Sequence, residues 1–197
     1  MCGIAGIIHR GKVVDIGTEM QGMLQALKHR GPDSTGYALY GEGSQGDYIL
    51  RFKVGENVKE GSSAANEEKA VYDERKKQVD KHIRDLGADI LQDQQLTPYS
   101  FRYVIKYDKD LMEFSKKIES VEMTEILSLG KTLELVKDIG DASVVSKQYG
   151  LDKIRGTHAI GHSRMATESG VDIGSGHPFW GYPFSDVAVV HNGQLTN

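Results

Sequence analysis

Apolar residues recur along this chain in two rhythms, every second position in some stretches and every third or fourth in others. Residues 3–9 (Gly-Ile-Ala-Gly-Ile-Ile-His) read as a short buried strand. Thr18 followed three residues later by Gln21 fits a capping box, and Met20, Met23, Leu24 and Leu27 then repeat at helical spacing. His29-Arg30-Gly31-Pro32-Asp33-Ser34 has the chemistry of a loop, since Pro32 fixes a turn and Gly31 frees the backbone. Residues 35–40 read as the next strand. Residues 42–63 are Gly- and Ser-bearing with few apolar positions, which marks a boundary. Val79, Ile83, Leu86 and Ile90 step by four, three and four along an amphipathic helix. Tyr99, Phe101, Tyr103, Ile105 and Tyr107 alternate as a half-buried strand, and Leu111, Phe114 and Ile118 suggest a short helix. Residues 123–129 suggest a strand, and 131–138 fit helix and strand equally. From Arg155 the opening style returns, with strands expected at 158–163 and 187–191 around a Gly-rich loop at 170–176.

This pattern predicts an α+β chain of two parts. Residues 1–42 and 151–197 form one discontinuous domain, and residues 43–150 form an α+β insert of ordinary domain size.

Composition narrows the function classes. The 28 acidic and 24 basic residues leave a net charge of −4 and argue against a nucleic-acid surface. Apolar runs are far shorter than the roughly 20 residues of a membrane span. The apolar stretch at 4–8 is too short for a signal peptide and follows no basic segment, so the expected location is cytoplasmic. One cysteine, Cys2, excludes an intrachain disulfide and is either a buried filler or a working thiol.

Position makes Cys2 the sharpest candidate. If Met1 is removed, the thiol and a free α-amine share one residue. An amine of pKa about 7.7–8.0 is partly neutral near pH 7 and can serve as the base that activates its own nucleophile. A small apolar residue opening a strand is the plainer alternative. Arg164, expected at a strand end, offers a planar fork for a carboxylate, or makes a surface ion pair. Asn192-Gly193 is either a two-residue hairpin turn or an oxyanion hole built from an amide and a backbone N–H. His158 and His162 share a strand face, yet no carboxylate or cysteine completes a metal set, so satisfied core histidines are expected and no metal site.

Four ordered blocks together resemble class II glutamine amidotransferases. They are Met-Cys-Gly-Ile-Ala-Gly at 1–6, His-Arg-Gly-Pro-Asp-Ser-x-Gly at 29–36, Gly-His-Ser-Arg-Met-Ala-Thr at 161–167 and His-Asn-Gly at 191–193. The run from Arg164 to Ser169, followed by His177-Pro178-Phe179, is most similar to amidotransferase subunits of archaeal-type glutamate synthase and methylglutamate synthase. The resemblance implies an N-terminal-nucleophile (Ntn) hydrolase fold, a four-layer αββα sandwich, here incomplete at the C-terminus. It implies a glutaminase in which Cys2 forms a glutamyl thioester and Asn192 with the Gly193 N–H stabilises the oxyanion. Arg164 then binds the substrate carboxylate, Thr167 lines the pocket, and Arg30 supports the site floor.

The implied partners are L-glutamine and a synthase subunit or domain that takes the ammonia; no cofactor is implied in this chain. Two departures stand out. Glu168 replaces a histidine found in several members. The acidic motif expected downstream of His-Asn-Gly, whose Asp binds the substrate amine, does not occur before Asn197, so a further C-terminal segment or another copy of the chain is expected to supply it. Another Ntn-type amide hydrolase and a non-catalytic regulatory subunit are the competing readings.

Overall fold

A computed structural model describes residues 2–31, 33–56, 65–165, 174 and 176–193, with the side chains of 65–67 excepted. Two four-stranded antiparallel sheets carry the fold, each with two helices packed on it, in an α+β architecture.

The first sheet has the order β1-β8-β2-β7, from β1 (Gly3–Ile8), β2 (Ser34–Gly41), β7 (Leu133–Ile139) and β8 (Gly156–Arg164). Alternation along its strands separates two faces. One face carries Ala5, Tyr37, Leu39, Val136 and Ala159 and packs on α1 (Ile16–Ala26) and α4 (Ala142–Tyr149). Ile16, Met20 and Leu24, one per helical turn, are fully buried there. Small residues let α1 come close, for a Cβ on Gly161 would lie 2.7 Å from Leu24.

The capping box expected at Thr18 does not form. Helix α1 begins at Ile16 after Asp15, whose side chain makes no cap hydrogen bond, and the Thr18 hydroxyl donates to the Asp152 carbonyl at 3.1 Å. Packing sets this helix start instead, because a Cβ on Gly17 would fall 1.7 Å from the Leu151 carbonyl oxygen. Asp141 does cap α4, accepting from the N–H groups of Ser143 and Val144.

The second sheet has the order β4-β5-β3-β6, from β3 (Tyr48–Lys53), β4 (Asp89–Thr97), β5 (Ser100–Lys106) and β6 (Glu125–Gly130). Leu50, Phe52, Phe101, Tyr103 and Ile105 form its core with Val79 and Ile83 of α2 (Ala65–Asp85) and Phe114 and Ile118 of α3 (Leu111–Ile118). Ile90, expected on the same helix as Val79, lies in β4, because α2 ends at Asp85 and Gly87 turns the chain at φ +79°. Residues 133–149, which follow this sheet within the stretch 43–150, supply β7 and α4 to the first sheet.

Buried polar bonds join the two sheets. Arg51 of β3 and Arg102 of β5 both donate to Glu134 of β7, at 2.8 Å and 2.7 Å. Burial alone would raise the Glu134 pKa, but the two guanidinium groups overcome it and hold the carboxyl at about 2. Asp138 accepts from the hydroxyls of Tyr99 at 2.6 Å and Tyr149 at 2.7 Å.

A short ladder, β9 (Phe179–Trp180) with β10 (Ala188–Val189), lies on the other face of the first sheet, where Trp180 and Ala188 meet Ala38, Leu133 and Leu135. Asp186, between the two strands, pins it by accepting from the N–H groups of Lys131, Thr132 and Leu133. No helix among the described residues is long and apolar enough to cross a membrane.

Candidate active site

The pairing register brings three of the sequence motifs to one end of the first sheet. Gly3 pairs with Ser163, so the next step of the ladder sets Cys2 beside Arg164, and Arg164 pairs in turn with Ser34 of β2. Directly paired residues point to the same side. Cys2, Arg164 and Ser34 therefore share the face turned away from α1 and α4, and so do Ile4, His162, Gly36 and Lys137 one step further along.

Cys2 is a partly exposed free thiol. The Asn192 side-chain amide donates to the Cys2 main-chain carbonyl at 3.2 Å. That bond uses one of the two amide N–H groups and leaves the other free to point at a reacting atom. Gly193 follows at φ +149°, a conformation that favours glycine, and a Cβ there would lie 2.8 Å from His191 Nε2. Asn192 and Gly193 form a bend after β10, and both are exposed.

Of the loop expected at residues 29–34, His29 and Arg30 belong to a 3₁₀ turn (Lys28–Arg30) and Ser34 opens β2, while Pro32 lies outside the described residues. Gly31 packs on the backbone of Arg164, where a Cβ would come within 2.2 Å of the carbonyl carbon, and the Asp33 N–H donates to the Arg164 carbonyl at 3.2 Å. Arg30 is exposed, and its Cβ lies 3.4 Å from the position of a Cβ on Gly3, on the α1 side of β1. Arg30 and Arg164 thus approach the amino-terminal strand from opposite faces. Thr167 and Glu168 lie outside the described residues.

Two residues of this face carried no weight in the sequence. Gly36 sits beneath the segment His177–Pro178, and a Cβ there would lie 1.9 Å from the His177 carbonyl oxygen. Lys137 is buried, with its ammonium 2.9 Å from Glu125, 3.1 Å from the Gly174 carbonyl and 4.7 Å from the centre of the Phe179 ring. The x-Gly ending of the 29–36 block was a signal for Gly36, whereas Lys137 stood in a stretch that fitted helix and strand equally.

The expectation of satisfied core histidines fails for His162 and is met in part by His158, which has partners but is half-buried. His158 stacks on Tyr40 at 4.0 Å and its Nδ1 meets the Thr157 hydroxyl at 2.9 Å. His162 is buried, but its Nε2 has no hydrogen-bond partner among the described residues, and the same is true of His177. Their rings stand 5.0 Å apart because the 177–180 segment folds back over β2 and β8, a long-range approach that β8's own alternation could not reveal. Burial, with His177 and Arg164 nearby, lowers the His162 pKa to about 4. Among the described residues no group of three or more His, Cys, Asp or Glu is arranged to hold a metal ion.

No model of a known protein family matches the chain. Similarity to individual proteins points to one class, the glutamine amidotransferases. The whole chain is 35% identical over 202 aligned positions to a protein of Methanothermobacter thermautotrophicus provisionally named glutamine amidotransferase. It is 27% identical over 208 positions to the glutamine amidotransferase-like protein GlxB of Rhizobium meliloti. The chain spans 62% and 60% of the lengths of these two relatives. Over 95 aligned positions, covering 47% of the chain, it is 32% identical to 16% of the glutamine–fructose-6-phosphate aminotransferase of Methanococcus maripaludis.

Proposed function

We propose that this chain is the amidotransferase part of a class II glutamine amidotransferase, hydrolysing L-glutamine through a thioester on Cys2. The observation that carries the reading is the Asn192 amide held at the Cys2 backbone, with Arg164 the next residue across the strand. In this reading Met1 is removed and the Cys2 amine takes the thiol proton as sulfur adds to the amide carbon. The carbonyl oxygen becomes an oxyanion facing the second Asn192 N–H and the Gly193 N–H. The proton passes to the leaving nitrogen, the C–N bond breaks and ammonia departs. Water then hydrolyses the thioester to glutamate and restores the thiol. Arg164 holds the substrate carboxylate as a bidentate fork, and Thr167 lines the same pocket.

The fold proposed with this activity is the four-layer Ntn sandwich, with the sheet that faces the first one beginning at β9 and β10. Ile4 and Ile8 of β1 and Val189 of β10 are exposed apolar side chains that added strands would cover in this reading. Within the stretch 43–150, the sheet β4-β5-β3-β6 and its helices are proposed as the insert, while β7 and α4 belong to the first sheet. Ammonia is proposed to pass to a synthase subunit or domain, of the glutamate synthase type, with any redox cofactor residing there.

Intact-mass spectrometry before and after treatment with a diazo-ketone analogue of glutamine tests the reading. Loss of Met1 and one adduct on Cys2, blocked by excess glutamine, is expected. A retained Met1, or an unlabelled Cys2 in the full-length protein, would overturn it.

A further inference from the structure

His162 and His177 are 2% and 8% exposed, and each leaves a buried Nε2 unpaired among the described residues. Burying a polar group without a partner is unfavourable, so two at one spot need a reason beyond filling space. The pair links two separate segments. His162 belongs to β8, and His177 opens the segment that crosses β2 above Gly36. The His177 ring also meets Phe179 edge-on at 4.6 Å and stands 6.3 Å from the ring of His191. His191 directly precedes Asn192, whose amide contacts Cys2. A line of rings therefore runs from the sheet to the bend that holds the Asn192 amide.

The line suits uncharged imidazoles. Arg164 on β8 and Lys137 on β7 face the pair, and His191 faces it from the segment after β10; of the carboxylates on neighbouring strands, Asp138 of β7 is engaged by Tyr99 and Tyr149, and Glu125 of β6 by Lys137 and Lys53. A proton on either ring would be buried among cations.

Resting on the amidotransferase reading, we propose that His162 and His177 are positioning residues for glutamine hydrolysis: an uncharged imidazole pair that seats the 177–193 segment on the sheet and so holds the Asn192 amide at Cys2. Arg164 would still bind substrate without the pair, so the loss falls on turnover and not on binding.

A double-mutant cycle in the full-length protein tests this. His177→Phe should lower kcat for glutamine hydrolysis by about tenfold or more, with KM changed by less than about twofold. In an Asn192→Ala background the same substitution should change kcat by less than about twofold, because the group it positions is gone. His162→Asn removes the ring contact from the other side and should trace the same cycle. Equal losses in both backgrounds, or a KM that rises with the loss of kcat, would overturn the inference while leaving the glutaminase reading in place. A parent protein that neither hydrolyses glutamine nor takes up the diazo-ketone would remove that reading, and this inference with it.

Discussion

The Asn192 side chain donates to the main-chain carbonyl of Cys2 at 3.2 Å, joining residues 190 positions apart. The bond is to the backbone and not to the sulfur, so it orients the amide without occupying the nucleophile. Asn192→Ala should remove an oxyanion donor and lower kcat by about 10²–10³-fold, with a smaller effect on KM. Steady-state glutamine hydrolysis checks this. An unchanged kcat would mean that Asn192 is only the corner of a turn.

Arg164 sits at the end of β8 with its carbonyl tied to the Asp33 N–H, so its backbone is fixed from the 3₁₀ turn and β2. Arg164→Lys keeps the charge and loses the planar fork. The KM for glutamine should rise by about tenfold or more while kcat falls less, the signature of lost binding shared by ground and transition states. An Ntn hydrolase of another substrate class would show no such dependence on a glutamine carboxylate.

Strands at 3–9, 35–40 and 99–107 were legible in the sequence, the last from its strict alternation and the second as a short run that the structure buries on both faces. Those that were not have physical reasons. β4 (Asp-Ile-Leu-Gln-Asp-Gln-Gln-Leu-Thr) is an edge strand with mostly exposed positions, so it carries no apolar rhythm. β3 lies just after the Gly/Ser-bearing start of the 42–63 boundary, and its Arg51 and Lys53 are buried through ion pairs that hydropathy cannot anticipate. At the site, Cys2, Arg164 and Asn192 were readable because their chemistry is local to a motif. Gly36 as a crossing point and the His162–His177 contact depend on a segment folding back from far along the chain.

Gly36 gives a prediction that separates the site from the fold. It pairs with His162 on one side and Lys137 on the other, beneath the His177 carbonyl. Gly36→Ala would place a Cβ 1.9 Å from that oxygen, so the 177–180 segment must lift. Loss of glutamine hydrolysis is expected with the first sheet intact. Far-ultraviolet circular dichroism should be unchanged, and Cys2 labelling by the diazo-ketone should slow.

Glu134 between Arg51 and Arg102 predicts a stability effect remote from the chemistry. Removing the one anion leaves the buried Arg51 guanidinium and the half-buried Arg102 guanidinium facing each other, and breaking such a set costs about 3–5 kcal/mol. Glu134→Gln should therefore lower Tm by on the order of 10 °C. Because the folded pKa is depressed to about 2 from 4.5, the carboxylate's contribution is complete above pH 4.5 and is lost as pH falls toward 2. The difference in Tm between parent and variant should be smaller at pH 3 than at pH 5.

His162 titrates in a different window. Its folded pKa is lowered from 6.5 to about 4 by burial first and by His177 and Arg164 next. Between those values the unfolded chain binds a proton that the folded chain refuses, so stability is full above pH 6.5 and falls as pH drops toward 4. The loss saturates below about 4, at no more than about 3 kcal/mol from this residue. His162→Asn should flatten the dependence of Tm between pH 6.5 and pH 4.5 and leave the fall between pH 4.5 and pH 2, which belongs to Glu134, in place. A variant that melts with the parent's slope through pH 5.5 would show that His162 is not held neutral by the fold.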